Sequence, residues 1–291
     1  MSPTVRPRRS ALYMPGSNAR ALEKGRGLPA DVLILDLEDA VAPDAKATAR
    51  ATVAAALAER AAYAPRELVV RVNGQDTPWG EDDLRAVAAA GADAVLLPKV
   101  EEVAAVARAR ASLAAAGAPT ELPIWCMIET PRGVLRAAEI AAADGVACLV
   151  MGTSDLTKDL HALATADRLP MLLALQTGVL AARAAGIAVL DGVHLDLADA
   201  PGLRAACRQG RELGFDGKTL IHPSQIEAAN EAFGPGPAEL DQARRIVAAF
   251  TRARAEGAGV AVLDGRLVEA LHVREAERLL ALAAAIAERG G

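Results

Sequence analysis

The stretch IWCMIE (Ile124 to Glu129) is a short apolar run that ends in a carboxylate. It is one of eight such runs in a chain of 291 residues, and Ala-rich helical stretches separate them. A strand of a parallel barrel is buried on both faces, so a nearly continuous apolar run is typical of it. The other runs are SALYM (10–14), VLILDLED (32–39), LVVRVN (68–73), AVLLPK (94–99), CLVMGTSD (148–155), AVLDGVHLD (188–196) and GKTLIHP (217–223). Eight strands alternating with helices predict an α/β fold, a closed (β/α)8 TIM barrel.

The alternation stops at FGPGP (233–237), because alternating Gly and Pro cannot continue a helix. We therefore predict a catalytic barrel over residues 1–232 and a small C-terminal extension over residues 233–291. The extension should contain a helix over 238–256, a hairpin with a turn at Asp264-Gly265, and a helix over 273–288. Two helices and a hairpin are too small to fold alone. We expect the extension to pack on a neighbouring subunit, with its own barrel as the alternative.

Composition excludes several classes of protein. The net charge of −5 is unlike the basic excess of nucleic-acid-binding proteins. The N-terminus has no charged-then-apolar leader, and no apolar segment reaches about 18 residues. We expect a soluble cytoplasmic protein without nucleic-acid or membrane partners. Cys126, Cys148 and Cys207 form no CxxC pair, so we expect them to be reduced core residues.

Charged residues cluster where the predicted strands end, and these ends form the active face of a parallel barrel. The residues at these ends are Asp36, Glu38, Arg71, Lys99, Glu129, Asp155 and His222. Glu129 and Asp155 follow consecutive strands, so their side chains should converge. Two carboxylates without nearby His or Cys suit Mg²⁺, with water and substrate oxygens completing the shell. The alternative is that each carboxylate caps a helix or pairs with an arginine.

Further residues at the same face could hold an anionic substrate. Thr130 and Pro131 begin a helix directly after Glu129, and Gly152-Thr153-Ser154 bring small residues and main-chain donors next to Asp155. Arg71 ends an otherwise apolar run, where a guanidinium needs an anionic partner. It is the best candidate to bind a substrate carboxylate or a developing enolate oxygen. Its alternative partner is internal, from Asp36, Glu38 or Asp39.

The acidic cluster at the end of the second run alternates in direction, so Asp36 and Glu38 should face one side and Leu37 and Asp39 the other. All of them cannot then enter one pocket. Lys99, Lys218 and His222 are weaker candidates when taken singly. A lone histidine before proline is more often a hydrogen-bonded rim residue than a base.

Seven stretches together resemble the citrate lyase beta-subunit and malyl-CoA lyase family, within the HpcH/HpaI aldolase superfamily. They are LYMPGSNARALEKG, LILDLEDAV, LVVRVNG, VLLPKV, MIETPRGV, GTSDL and GFDGKTLIHPSQI, in order along nearly the whole chain. The resemblance implies a barrel that acts on 3-hydroxy-acyl thioesters, with Mg²⁺ held at Glu129 and Asp155. It also implies that Arg71 contacts the small acid. Residues around Tyr13, Lys24 and His222 should contribute to coenzyme A or substrate binding.

The resemblance also implies a reaction and an assembly. We expect a lyase that cleaves or forms malyl-CoA, citramalyl-CoA or a related thioester, giving an acyl-CoA and a 2-oxo acid. We assign Arg71, Asp36 and Glu38 to catalysis, and Glu129, Gly152, Thr153 and Asp155 to substrate binding. The family's longer members carry a segment like DGRMVDAP that gives an acid to an adjoining subunit of a trimer or hexamer. This chain has DGRLVEAL, which makes Glu269 a candidate general acid.

Three alternatives remain open from the sequence. A thioesterase would use the same barrel to release a hydroxy acid and coenzyme A, with Glu269 supporting hydrolysis. A citrate lyase subunit would act on an acyl-carrier-protein thioester only inside a larger complex. A non-catalytic binding module would retain the barrel and lose nothing when Glu129 or Asp155 is replaced.

Overall fold

The computed structural model describes residues 6–289 and contains a closed barrel of eight parallel strands in sequential order, so the predicted fold class is confirmed. Neighbouring strands pair throughout, and the eighth closes on the first, with Ala11 beside Thr219. The strands are β1 Ser10–Pro15, β2 Val32–Asp36, β3 Glu67–Arg71, β4 Ala94–Leu97, β5 Ile124–Ile128, β6 Val146–Met151, β7 Ala188–Asp191 and β8 Gly217–Leu220.

Most strands end two to five residues before the sequence runs do. The second run extends to Asp39, whereas β2 ends at Asp36, and the sixth run extends to Asp155, whereas β6 ends at Met151. The polar residues at the ends of the runs therefore lie in strand-to-helix connections. This matters for side-chain direction, because strand alternation does not apply beyond the last paired residue.

Helices follow the strands, as a (β/α)8 barrel requires. Those of the barrel are α1 Ala19–Gly25, α2 Lys46–Ala58, α3 Gly80–Ala90, α4 Val103–Ala115, α5 Pro131–Leu135, α6 Ala137–Ala141, α7 Thr153–Asp159, α8 Leu172–Ala185, α9 Ala200–Leu213 and α10 Ile226–Phe233. Short 3₁₀ turns occupy Pro43–Ala45, Arg60–Tyr63, Leu169–Met171 and Pro223–Gln225. The helix predicted to begin at Thr130 and Pro131 is short, and α5 meets a second short helix, α6, at Arg136.

The barrel interior is filled by alternate residues of the strands, such as Val32, Leu96 and Trp125. At its N-terminal end the Arg8 guanidinium donates two hydrogen bonds of 2.8 Å to the Glu67 carboxylate. The same guanidinium lies 4.9 Å from the centre of the Trp125 ring. A cation that is both paired and stacked closes this end of the barrel. Cys126, Cys148 and Cys207 are buried free thiols, as expected.

The chain forms two compact units, one of residues 8–230 and one in which residues 231–289 join residues 6 and 7. The predicted domain ranges also include residues 1–5 and 290–291, which lie outside the described residues. The second unit contains α11 Pro237–Ala255, the antiparallel strands β9 Ala261–Leu263 and β10 Arg266–Val268, and α12 Ala270–Ala287. Its hairpin turns at Asp264 and Gly265, which both have positive φ. Among helices within residues 6–289, none is long and apolar enough to cross a membrane.

Candidate active site

A cavity of about 390 Å³ opens where the barrel strands end. Strands β1, β2, β3, β5 and β6 all contribute to its wall directly or through the residues that follow them. Its lining residues include Tyr13, Asp36, Arg71, Met127, Glu129 and Asp155. One wall is therefore carboxylate-rich and another presents a guanidinium, which suits a ligand with both a metal-binding group and an anionic end.

Glu129 follows the last residue of β5 and is buried. Its Oε1 accepts a hydrogen bond of 2.7 Å from the main-chain N–H of Lys99. Burial raises the pKa of Glu129 to about 7; the Lys99 hydrogen bond opposes this rise and the Asp155 carboxylate adds to it. A buried acid beside a second acid holds its proton unless a cation is near. The site therefore favours the binding of a positive ion.

Asp155 lies in the first turn of α7 and is half-buried at the same cavity. Gly152, where β6 leads into α7, allows Glu129 to come close, because a Cβ at that position would lie 2.5 Å from Glu129 Oε2. Among residues 6–289, no group of three or more His, Cys, Asp or Glu is arranged to hold a metal. Two carboxylates with room for water fit Mg²⁺, which keeps several waters, better than they fit zinc.

Arg71, the last residue of β3, is fixed by Asp36 across the neighbouring strand. Its Nε donates to Asp36 Oδ1 at 2.7 Å and its Nη2 to Oδ2 at 2.6 Å. The Asp36 carboxylate also accepts the main-chain N–H groups of Glu38 and Ala40. The fourfold-bonded Asp36 orients Arg71 and has little capacity left for a substrate. The internal partner foreseen for Arg71 is therefore present, and Arg71 also lines the open cavity. Its contact with a substrate carboxylate stays a prediction.

Asp39 contradicts the prediction that it faces away from Asp36 and Glu38. Its Oδ2 accepts a hydrogen bond of 3.3 Å from Arg71 Nη1. Glu38 Oε2 lies 2.7 Å from the same nitrogen, but this ion pair does not have the geometry of a hydrogen bond. Because β2 ends at Asp36, the following residues turn and bring Asp39 back from an exposed loop. All three acids therefore surround Arg71. Its guanidinium also lies 4.8 Å from the centre of the Tyr13 ring.

Two groups that the sequence did not single out hold this acidic loop. Lys46 is buried, and its Nζ donates at 2.7 Å to the carbonyls of both Leu37 and Glu38. Asn73 Nδ2 donates at 2.8 Å to the Leu37 carbonyl as well. The sequence offered a signal for Lys46, because it is a lysine at the start of an Ala-rich helix just after an acidic cluster.

Glu38 and Glu129 predict a specific pH dependence of stability. Burial raises the pKa of Glu38 to about 7; Arg71 opposes the rise and Asp39 adds to it. Both acids thus bind protons more tightly when folded than in the unfolded chain, where their pKa is near 4.5. Their contribution to the free energy of unfolding is full below pH 4.5 and should be lost as pH rises through about 7. Urea denaturation in EDTA at pH 5, 6, 7 and 8 measures this decrease in the free energy of unfolding.

The matched variant for that series is Glu38→Gln, which cannot ionise. The difference in unfolding free energy between wild type and Glu38→Gln should shift in favour of the variant as pH rises from 5 to 8. A constant difference across this range would show that Glu38 ionises normally in the folded protein.

Within the barrel unit, the predicted site residues Glu38, Lys24 and His222 do not line this cavity; Glu38 lines a second cavity, together with Asn73 and Lys99. Lys24 is exposed on α1, and His222 is exposed and accepts the Ser224 N–H through its Nδ1 at 3.2 Å. Glu269 belongs to the other unit, where it is exposed and precedes α12. Lys218, a weaker candidate, is fully buried and pairs with Asp191 at 3.0 Å. The roles of Lys24, His222 and Glu269 therefore stay predictions.

The sequence pattern of the HpcH/HpaI aldolase/citrate lyase family matches residues 9–223, well over half of the chain. The chain belongs to this family. Among its relatives in the HpcH/HpaI family, a (3S)-malyl-CoA thioesterase of Cereibacter sphaeroides is 52% identical over 287 residues, covering 99% of this chain and 98% of that protein. Citrate lyase subunit beta of Escherichia coli is 37% identical, covering 96% of this chain and 94% of the subunit.

Solved HpcH/HpaI structures support the same assignment. CitE of Mycobacterium tuberculosis, crystallised with magnesium, acetoacetate and coenzyme A, aligns with a TM-score of 0.77 at 34% identity. The alignment covers 94% of this chain and 97% of that one. The family resemblance seen in the motifs is therefore confirmed, and the match to full-length relatives continues past the barrel into the second unit.

Proposed function

We propose that this HpcH/HpaI protein is a magnesium-dependent thioesterase that hydrolyses a malyl-CoA-type thioester to the free hydroxy acid and coenzyme A. The observation that carries the proposal is the 52% identity to a (3S)-malyl-CoA thioesterase along 99% of the chain. The motifs alone favoured the lyase reaction, with hydrolysis as the alternative. The higher identity to the thioesterase, 52% against 37% for the citrate lyase subunit, reverses that order.

In this proposal Arg71 binds the carboxylate at the end of the acyl chain. Its guanidinium is held by two hydrogen bonds to Asp36 and by the Tyr13 ring, so it is oriented before the substrate arrives. A fixed donor loses little freedom on binding and discriminates well between a carboxylate and a neutral group. Arg71 thus selects acyl groups that end in an acid.

Glu129 and Asp155 would hold the magnesium ion, whose bound form polarises substrate oxygens and offsets negative charge in the transition state. The fit rests on their arrangement at one cavity, with the pKa of Glu129 raised to about 7 by burial and by Asp155. The chain's own part is to keep the two acids close in a buried wall. Glu129 is prevented from turning away by the Lys99 amide.

Two acids are proposed for proton transfer. Glu38, with a pKa raised by burial to about 7, lies beside Arg71 and would take the substrate hydroxyl proton in the carbon-carbon lyase reaction, since hydrolysis leaves that hydroxyl intact. Glu269, contributed by a neighbouring copy, would take a proton from the water that attacks the thioester. We accordingly propose a homo-oligomer, a trimer or hexamer, in which residues 233–291 contact the next subunit.

The second candidate is the carbon-carbon lyase, and the 37% identity to citrate lyase subunit beta favours it. A lyase needs a base for the substrate hydroxyl and stabilisation of the enolate of the acyl thioester, and Glu38 and Arg71 are candidates for these roles. The two reactions differ in whether a carbon-carbon bond or the thioester bond breaks. The same substrate therefore distinguishes them by its products.

Mass spectrometry after incubation with malyl-CoA and citramalyl-CoA, with Mg²⁺ or EDTA, tests the proposal. Malate or citramalate plus free coenzyme A, formed only with metal, is the expected result. Acetyl-CoA plus glyoxylate or pyruvate would instead establish the lyase. If the products are the hydroxy acid and coenzyme A, Glu269→Gln should lower the rate of hydrolysis at least about tenfold. A fully active monomer in size-exclusion chromatography would contradict the proposal that Glu269 serves the site of a neighbouring subunit.

A further inference from the structure

Lys99 adopts a backbone conformation that its residue type disfavours. Its φ is 47°, in the left-handed region, and it lies just beyond β4 in the sequence Leu97-Pro98-Lys99. A residue with a Cβ clashes with its own carbonyl there, so such positions persist where the surroundings fix them, and they are frequent at functional sites. The Lys99 side chain is exposed, so core packing of this side chain does not explain the conformation.

The left-handed turn is fixed by its neighbours on β5. The N–H of Val100 donates to the Met127 carbonyl at 3.1 Å. The Val100 carbonyl lies against Gly133, where a Cβ would be only 2.7 Å from the carbonyl oxygen. One residue earlier, the Lys99 N–H donates to Glu129 Oε1 at 2.7 Å. The turn thus aims a main-chain donor at one oxygen of Glu129.

The other oxygen of Glu129 faces a different backbone segment. At Gly152 a Cβ would lie 2.3 Å from Glu129 Cβ and 2.5 Å from Oε2, so only glycine fits without displacing the acid. Gly152 is itself tied to β5, since its N–H donates to the Ile128 carbonyl at 3.0 Å. Glu129 is therefore confined between the Lys99 amide on the Oε1 side and Gly152 on the Oε2 side.

We propose that Lys99 is a positioning residue that acts through its main chain. Its left-handed turn occupies Oε1 of Glu129 and leaves Oε2, on the side of the connection that leads to Asp155, as the oxygen that binds the cation. This inference rests on the proposed function for the identity of the cation, Mg²⁺. It adds that the ammonium group of Lys99 is dispensable for metal binding, whereas the backbone conformation at residue 99 is required.

Two variants that both remove the ammonium separate charge from conformation. Asn tolerates the left-handed region and Val does not, because Val is branched at Cβ. Mg²⁺ affinity, measured by isothermal titration calorimetry on the full chain without substrate, should stay within about threefold for Lys99→Asn. It should fall about 10- to 100-fold for Lys99→Val, the range found when a group that orients a metal ligand is lost.

Two further measurements distinguish positioning from general damage. Lys99→Gly, which relaxes the turn and keeps the N–H, should bind Mg²⁺ as well as Lys99→Asn. Raising Mg²⁺ should restore kcat of Lys99→Val towards wild type, provided circular dichroism shows it folded. If Lys99→Val does not fold, Gly152→Ala replaces it, and a drop in Mg²⁺ affinity of at least about tenfold is expected.

The outcomes separate this inference from the proposed function. Equal affinity of Lys99→Asn and Lys99→Val, whether both match wild type or both fall, would overturn the role of the left-handed turn. If both variants match wild type, residue 99 is unimportant for Mg²⁺ binding. If both lose affinity, the ammonium group of Lys99 contributes to Mg²⁺ binding. Wild type that binds no Mg²⁺ would overturn the metal dependence proposed above and this inference with it. Wild type that binds Mg²⁺ but hydrolyses no malyl-CoA would overturn only the proposed function.

Discussion

If Glu129 holds Mg²⁺ as proposed, Glu129→Gln should lower kcat by about 10³-fold, because the ion supplies several kcal/mol to the transition state and the variant weakens one of its two ligands. Glutamine has the same shape, and its carbonyl oxygen can still accept the Lys99 N–H that Glu129 Oε1 accepts at 2.7 Å. The variant should therefore fold normally. Steady-state kinetics across a Mg²⁺ titration measure the effect, and the Mg²⁺ needed for half-maximal rate should rise as well.

Glu101→Gln is the matched control for that experiment. Glu101 lies on the same side of the barrel, but its carboxylate is 3.8 Å from the exposed Arg132 and does not line the cavity that holds Glu129. Its kcat should remain within about twofold of wild type, since an exposed ion pair contributes little. If Glu129→Gln were as active as this control, Glu129 would not be a metal ligand.

Asp191→Asn should lower the free energy of unfolding by about 3 kcal/mol or more, because it leaves buried cations without their anion. Asp191, the last residue of β7, is fully buried and accepts Lys218 Nζ at 3.0 Å. It also accepts Arg168 Nη1 at 2.7 and 2.8 Å. Lys218 is fully buried too, and when the charge of Asp191 is removed its ammonium keeps only neutral acceptors, among them the Gly192 carbonyl. Urea denaturation with circular dichroism measures the loss.

The control for charge removal is Asp264→Asn in the second unit. Asp264 pairs with Arg245 on the surface and has a φ of 51°, a conformation that Asn tolerates. Loss of this surface ion pair should lower the free energy of unfolding by less than about 1 kcal/mol. Adding Lys218→Met to Asp191→Asn should recover part of the stability, since an apolar side chain no longer needs the partner. A double variant less stable than Asp191→Asn would contradict this account.

The sequence predicted the barrel well because buried parallel strands have a local signature. Each of the eight apolar runs overlaps one strand, and the hairpin turn at Asp264 was also foreseen from a local Asp-Gly pair. Gathering Arg71, Glu129 and Asp155 at one cavity followed from a topological rule, because the ends of parallel strands meet on one side. Local pattern plus that rule was sufficient for the centre of the candidate site.

The contacts that the sequence did not predict involve residues in the connections that follow the strands. The direction of Asp39 was wrong because β2 ends three residues earlier than its apolar run. The buried network of Asp191, Lys218 and Arg168 joins two strands to a loop residue with φ of 55°. No periodicity marks a loop arginine as the partner of a strand acid. Such pairings are set by tertiary packing.

The N-terminal end of the barrel constrains how the reaction proceeds. Among residues 6–289, the Arg8 and Glu67 pair stacked on Trp125 and the buried apolar side chains next to it fill the interior at this end. A ligand therefore reaches Glu129 through the cavity opening at the C-terminal ends of the strands, and a product leaves through the same opening. Under the proposed function, the free acid and the thioester would therefore compete for one entrance and for Arg71. Product accumulation should act as competitive inhibition, so flux through the enzyme would follow how quickly the acid is removed.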